Sequence, residues 1–182
     1  MTAGETEPPA VDESFVQDML ARGREAFNAH DAERLVALMT EDVVIDHSAW
    51  PTTMRGRAPV RSFYNDYLWK AFPDLRLEPE DGPFLHPHAP RVAMAWRAFG
   101  THTGPIQPPG FAPTGKRMEV SVREIAEFRD GPISRLQIVV DMAAVLRQLG
   151  VLPAPGSRAE RGIAALQRLQ IRMSRRARSG RP

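Results

Sequence analysis

The chain has 182 residues, 42% of them hydrophobic and 25% charged, proportions that suit one globular domain large enough to bury a core. It contains no cysteine, which excludes disulfides, thiolate nucleophiles and cysteine-held zinc. The formal net charge of +2 is uneven: residues 156–182 hold eight arginines against one glutamate, +7, which leaves −5 for the remainder.

No apolar run approaches the ~20 residues that span a bilayer. The opening stretch "MTAGETEPPAVDESF" is acidic and Pro-rich, unlike a signal peptide, so a cytoplasmic protein is expected. Residues 1–12 read as a disordered leader. "SFVQDMLARGREAFNAHD" then places Phe15, Met19, Leu20 and Phe27 near one helical face. Asp31 is placed to cap a second, short helix, "AERLVALM", and "TEDVVIDHS" follows as a strand with Val43, Ile45 and His47 on one side. "APVRSFYNDYLWKAF" reads as one helix, its Val60, Phe63, Tyr64, Tyr67, Leu68 and Ala71 forming an apolar stripe that Pro73 ends.

After Pro73 the period becomes two. "LRLEPED", "RVAMAWRAFGTH", "KRMEVSVREIAEF" and "ISRLQIVV" read as strands, the last two joined by the turn "RDGP". "DMAAVLRQLG" is a helix ending at Gly150, and Pro153 and Pro155 open a linker. Residues 13–150 thus form one α+β domain with helices on one face of a curved sheet. In residues 151–182, Ile163, Leu166, Leu169 and Met173 fall at helical spacing, predicting a basic amphipathic helix that docks on the core or on a partner. Its arginines add only non-specific affinity for nucleic acid, and without interleaved aromatics a nucleic-acid partner is not expected.

Several side chains carry chemistry in this pattern. Glu124 shares a strand face with Val120, Val122, Ala126 and Phe128 and is the lone ionisable group in that stripe. Desolvation there raises a carboxyl pKa and suits general acid or base work; a buried ion pair with Arg97 or Arg57 is the alternative. His47 and His102 are placed to orient a carbonyl or shuttle a proton, or are structural, whereas His30, His86 and His88 read as surface residues. Asp141, at a strand-to-helix junction, is foremost a helix cap and secondarily a catalytic carboxylate. Tyr64, Tyr67 and Trp96 serve either core or pocket wall. Trp50 and Phe111 sit in Pro/Gly-rich loops, with "GPIQPPGFAPTG" read as a pocket lip. No His-x-x-x-His spacing is present, and no metal site is expected.

"EAFNAHDAERLVALMTEDVVIDHS", "AFPDLRLE", "GTHTG" followed by "PTGKR", and "LRQLG" together resemble SnoaL-like proteins, the polyketide and ester cyclases of the nuclear-transport-factor-2-like superfamily. The resemblance implies a cone: a curved, mostly antiparallel sheet with N-terminal helices enclosing a pocket. It also implies a homodimer through the outer sheet face, where Ile125 and Phe99 interrupt polar strand faces, and chemistry without metal or cofactor. The family's catalytic aspartate closes a His-Trp-Asp or His-Arg-Asp stretch. Counted back from "LRQLG", that stretch falls on Leu136, Gln137 and Ile138, so Ile138 occupies the aspartate position. A family histidine on the preceding strand matches Glu124. The expected function is therefore cyclisation or isomerisation of an apolar polyketide-type intermediate by another route. That route is acid/base work at Glu124 or templating by a pocket walled by Leu136, Ile138 and Val140. A non-catalytic binder that kept the fold is the alternative.

Overall fold

The computed structural model describes residues 12–179. Helix α1 (Glu13–Asn28) starts where the Asp12 carboxylate accepts from the Ser14 and Phe15 N–H groups at 2.9 and 3.2 Å, satisfying donors that a helix start leaves open. Asp12 thus belongs to the fold; the rest of the expected leader lies outside the described residues. Asp31 caps α2 (Ala32–Ala37) in the same way, accepting from Arg34 N–H at 3.0 Å.

The chain continues through β1 (Met39–His47), β2 (Met54–Arg55) and α3 (Arg57–Ser62) into a π-helical segment (Phe63–Leu68) and α4 (Trp69–Ala71). Strands β3 (Arg76–Leu85), β4 (Arg91–Thr101), β5 (Arg117–Phe128) and β6 (Ile133–Val140) follow, then α5 (Met142–Gln148) and α6 (Arg158–Ser179). The single helix expected from Ala58 to Phe72 is therefore interrupted. At its centre Trp69 N–H bonds to Tyr64 O, an i→i−5 bond that holds one more residue per turn than an α-helix.

The six strands form one sheet in the order β2-β1-β6-β5-β4-β3. β1 pairs parallel with β6, and the remaining pairs are antiparallel. Register shifts in β1 and β3 and near the end of β5 bend these strands, which curves the sheet. Strand alternation turns Val120, Val122, Ala126 and Phe128 inward against Phe27, Val60, Phe63 and Tyr64 from the helices.

His102 is fully buried and ties the long loop after β4 to the start of β5. Its backbone N–H donates to Lys116 O and its carbonyl accepts from Gly115, both at 2.9 Å. Its Nδ1 lies 3.3 Å from Thr114 N and 3.2 Å from Thr114 Oγ1. "GTHTG" and "PTGKR" are thus two halves of one clasp. The clasp is fastened to α4, where Thr103 and Gly104 both donate to Ala71 O at 3.1 Å. A Cβ on Gly104 would sit 1.9 Å from Lys70 O, so only glycine permits this approach.

Beyond Gly150, Pro153 and Pro155 lie in the linker that leads to α6. The tail forms the helix that its spacing predicts, but its apolar side chains do not dock on the core: Ile163, Leu166, Leu169 and Met173 are all exposed.

Candidate functional site

Between the helices and the inner sheet face lies a cavity of about 180 Å³. A buried water needs only ~10–15 Å³ in this measure, so the space suits a ligand of many atoms. Its walls are chiefly apolar. Leu136, Ile138, Val120 and Val122 come from the sheet, and Phe63, Tyr64, Tyr67 and Leu68 come from the π-helical segment. Trp50 borders it as well, its ring 4.7 Å from Tyr67 and 5.3 Å from Phe63.

Sheet register sets the polar groups in this wall. Glu124 on β5 pairs with Met94 on β4 and Ile138 on β6, and Ile138 pairs in turn with His47 on β1. Glu124 and His47 therefore lie in one row, two strand spacings or roughly 10 Å apart at the backbone, with Ile138 between them. Both side chains line the cavity.

Among the described residues Glu124 is the one carboxyl in that wall. Its side chain is half-buried and lines the cavity. Burial accordingly pushes its pKa up to about 7, opposed by the Trp96 indole. The Trp96 N–H acts on the carboxyl without forming a well-aligned hydrogen bond, and it has no other partner among the described residues. Tyr64 lies close enough that burial first, and the Glu124 charge second, raise its pKa. The phenol is held protonated, a donor beside the carboxyl. Neither Arg97 nor Arg57 pairs with Glu124. Arg97 points outward to Glu80 and Glu119 because it is one residue out of phase with the inner face, while Arg57 donates to Met39 O.

His47 is held neutral, with burial lowering its pKa to about 4. Its Nδ1 accepts from Ala49 N–H at 3.0 Å, which leaves the ring proton on Nε2. The site thus combines a carboxyl that titrates near neutrality with O–H and N–H donors on an apolar wall.

Sequence reading and structure part at several residues. His102 does not line the cavity; it belongs to the loop clasp, with its ring 5.4 Å from Phe72. Asp141 is exposed and caps α5, the foremost of the two readings its position offered, accepting from Ala144 N–H at 2.9 Å. Phe111 bridges to Ile106 within the loop, and it is Ile106 and Gln107, not Phe111, that reach the cavity. His30, expected at the surface, is half-buried: it stacks on Trp69 at 4.9 Å and bonds Leu75 O at 2.9 Å. Trp50, Tyr64, Tyr67, Trp96, Leu136 and Ile138 all line the cavity. Among the described residues no three His, Asp or Glu side chains converge as a metal site would require.

The sequence profile described as SnoaL-like polyketide cyclase matches residues 17–149. The chain belongs to that family. IdmH, a candidate polyketide cyclase from Streptomyces antibioticus, superposes on this SnoaL-like protein with a TM-score of 0.58 at 29% identity, over 74% of this chain and 97% of that one. AclR, a candidate hydroxylase from Streptomyces galilaeus, gives 0.65 at 23% identity, over 90% of this chain and 98% of its own. A Catenulispora acidiphila protein with a ketosteroid isomerase-like fold gives 0.62 at 16% identity, over 77% and 97%. The last two likenesses speak for the fold alone. No curated protein sequence matches the SnoaL-like chain. The fold is the nuclear-transport-factor-2-like one expected, and no described helix is long and apolar enough to cross a membrane.

Proposed function

We propose that this SnoaL-like protein closes a ring in, or isomerises, an apolar polyketide-type carbonyl intermediate by proton transfer at Glu124. The observation that carries the proposal is a lone cavity carboxyl with a pKa near 7 on a chiefly apolar wall. A general base performs best when its pKa lies near the working pH. In its ionised form Glu124 takes a proton from the carbon beside a substrate carbonyl. The carbonyl oxygen gains the negative charge and is steadied by Tyr64 O–H or His47 Nε2–H. The resulting enolate carbon attacks a second carbonyl of the same molecule, forming the ring bond, and protonated Glu124 returns its proton to the new alkoxide. For an isomerisation, the proton returns to a different carbon. The residues of the chain itself supply every proton transfer.

The apolar wall around Ile138, Leu136 and Val140 supports a contribution from shape, because it folds a flexible substrate close to its reacting geometry. A homodimer through the outer sheet face belongs to the same reading. Ile125 is 43% and Val139 58% exposed on that face, while Phe99 is half-buried. A monomer by light scattering at micromolar concentration removes the dimer without touching the chemistry.

Exchange of α-hydrogens for deuterium in an apolar 1,3-diketone, followed by mass spectrometry, tests the proton transfer. Acceleration by the native protein and its loss in Glu124→Gln are expected. Binding of the diketone with no acceleration by either protein would leave a binding protein that kept the fold.

A further inference from the structure

Among the described residues no side chain of α6 lines the cavity. Its 22 residues span about 33 Å. Along it Ile163, Leu166, Leu169 and Met173 are 58%, 57%, 53% and 63% exposed. Steps of three and four residues place these side chains on one side, and the same periodicity puts Arg161, Arg168 and Arg172 on the other. No element of the domain packs closely against α6 among the described residues.

The charge distribution selects what covers this stripe. A second copy of α6 is disfavoured, since residues 156–182 carry +7 with Glu160 as the lone acid, and two such segments repel. The domain of the same chain has not taken up the stripe, although the sequence outside the tail carries −5. Nucleic acid would use the arginines and leave the apolar side chains in water. An anionic lipid surface satisfies both faces: leucine, isoleucine and methionine enter the acyl boundary while arginines meet the headgroups.

We propose that α6 is an interfacial helix that binds anionic phospholipid surfaces, lying in the plane of the membrane and tethering the cavity domain by the Pro153–Pro155 linker. Too polar to span a bilayer, it is suited to rest on one. The inference stands independently of the chemistry proposed for the cavity.

Co-sedimentation of the full chain with vesicles tests it, comparing phosphatidylcholine alone with phosphatidylcholine containing phosphatidylglycerol. Retention on the anionic vesicles should exceed that on the neutral ones by about tenfold or more and should fall as salt is raised. The full-length double variant Leu166→Glu/Leu169→Glu should lose this retention with an unchanged melting temperature of the domain, since these side chains pack on none of it. Equal retention of variant and native chain overturns the proposal, as does failure to bind anionic vesicles at low salt. Binding to duplex DNA or to an acidic polypeptide without binding to vesicles overturns it too, assigning the arginines to that partner.

Discussion

Glu124 and Ile138 are register partners across the β5–β6 ladder, both on the cavity side. By the family resemblance Ile138 stands where the aspartate base is expected, so the carboxyl of this chain lies one strand, about 4.8 Å, to the side. Glu124→Gln keeps volume and hydrogen bonding but cannot accept the proton, and should lower turnover by ~10²–10⁴. In the native protein the rate of the proposed reaction should rise with pH and level off above about 7, as the carboxyl ionises. A flat profile through that range would remove Glu124 as the base.

The same carboxyl affects stability. Its pKa rises from 4.5 to about 7 on folding, so between these values the folded chain holds a proton that the unfolded chain has released. Stability from this group therefore falls as pH climbs through that window and stays lowered above it. Glu124→Gln should stabilise the protein by up to about 3 kcal/mol at pH 8 and by little near pH 4.5. His47 works in the opposite sense. Its pKa drops from 6.5 to about 4, so the unfolded chain takes the proton first and stability is lost as pH falls between those values. The two slopes offset each other in native protein. Denaturant titrations in the Glu124→Gln background should expose the His47 loss, and adding His47→Phe should flatten it.

Trp96 acts on Glu124 through an N–H that has no other partner among the described residues. Trp96→Phe preserves most of the buried ring and removes that donor, which favours the ionised carboxyl. The pH at which activity levels off should move upward, with the variant still cooperatively folded. An unchanged limb would show that the indole N–H does not reach the carboxyl in solution.

Asp141 should behave as a cap. Asp141→Ala should cost about 1 kcal/mol in chemical denaturation and Asp141→Asn close to none, because Asn accepts the Ala144 N–H about as well. Neither should change the catalytic pH profile. A loss of turnover in a folded Asp141→Asn protein would return Asp141 to the list of catalytic groups.

Period and capping chemistry made much of this fold legible. Asp31, Asp141 and the alternation in β4 and β5 each follow from local rules, and that alternation turns Glu124 on β5 inward and Arg97 on β4 outward. What stayed hidden depends on partners distant in sequence. The parallel pairing of β1 with β6 puts His47 in the Glu124 row, yet no feature of "TEDVVIDHS" names its neighbour. His30 looks like a turn residue until Leu75 and Trp69 arrive. Phe111 looked like a lip because large aromatics in loops invite that reading, whereas its bridge to Ile106 turns the loop on itself. The two-residue strand β2 and the π-helical segment carry too few residues to alter a periodic pattern.

That segment has a consequence for how the chamber could change size. Phe63, Tyr64, Tyr67 and Leu68 face the cavity from a stretch that holds one residue more than regular winding would. Its far end cannot slip, because Ala71 O is clamped by Thr103 and Gly104. Removing Asn65 or Asp66 would let the stretch close into regular i→i−4 winding, drawing in the turn that the extra residue widens while both flanks keep their facing. The room offered to a folding carbon chain is encoded here in a count of residues, so a single-codon deletion could reshape it with every wall side chain still in the gene.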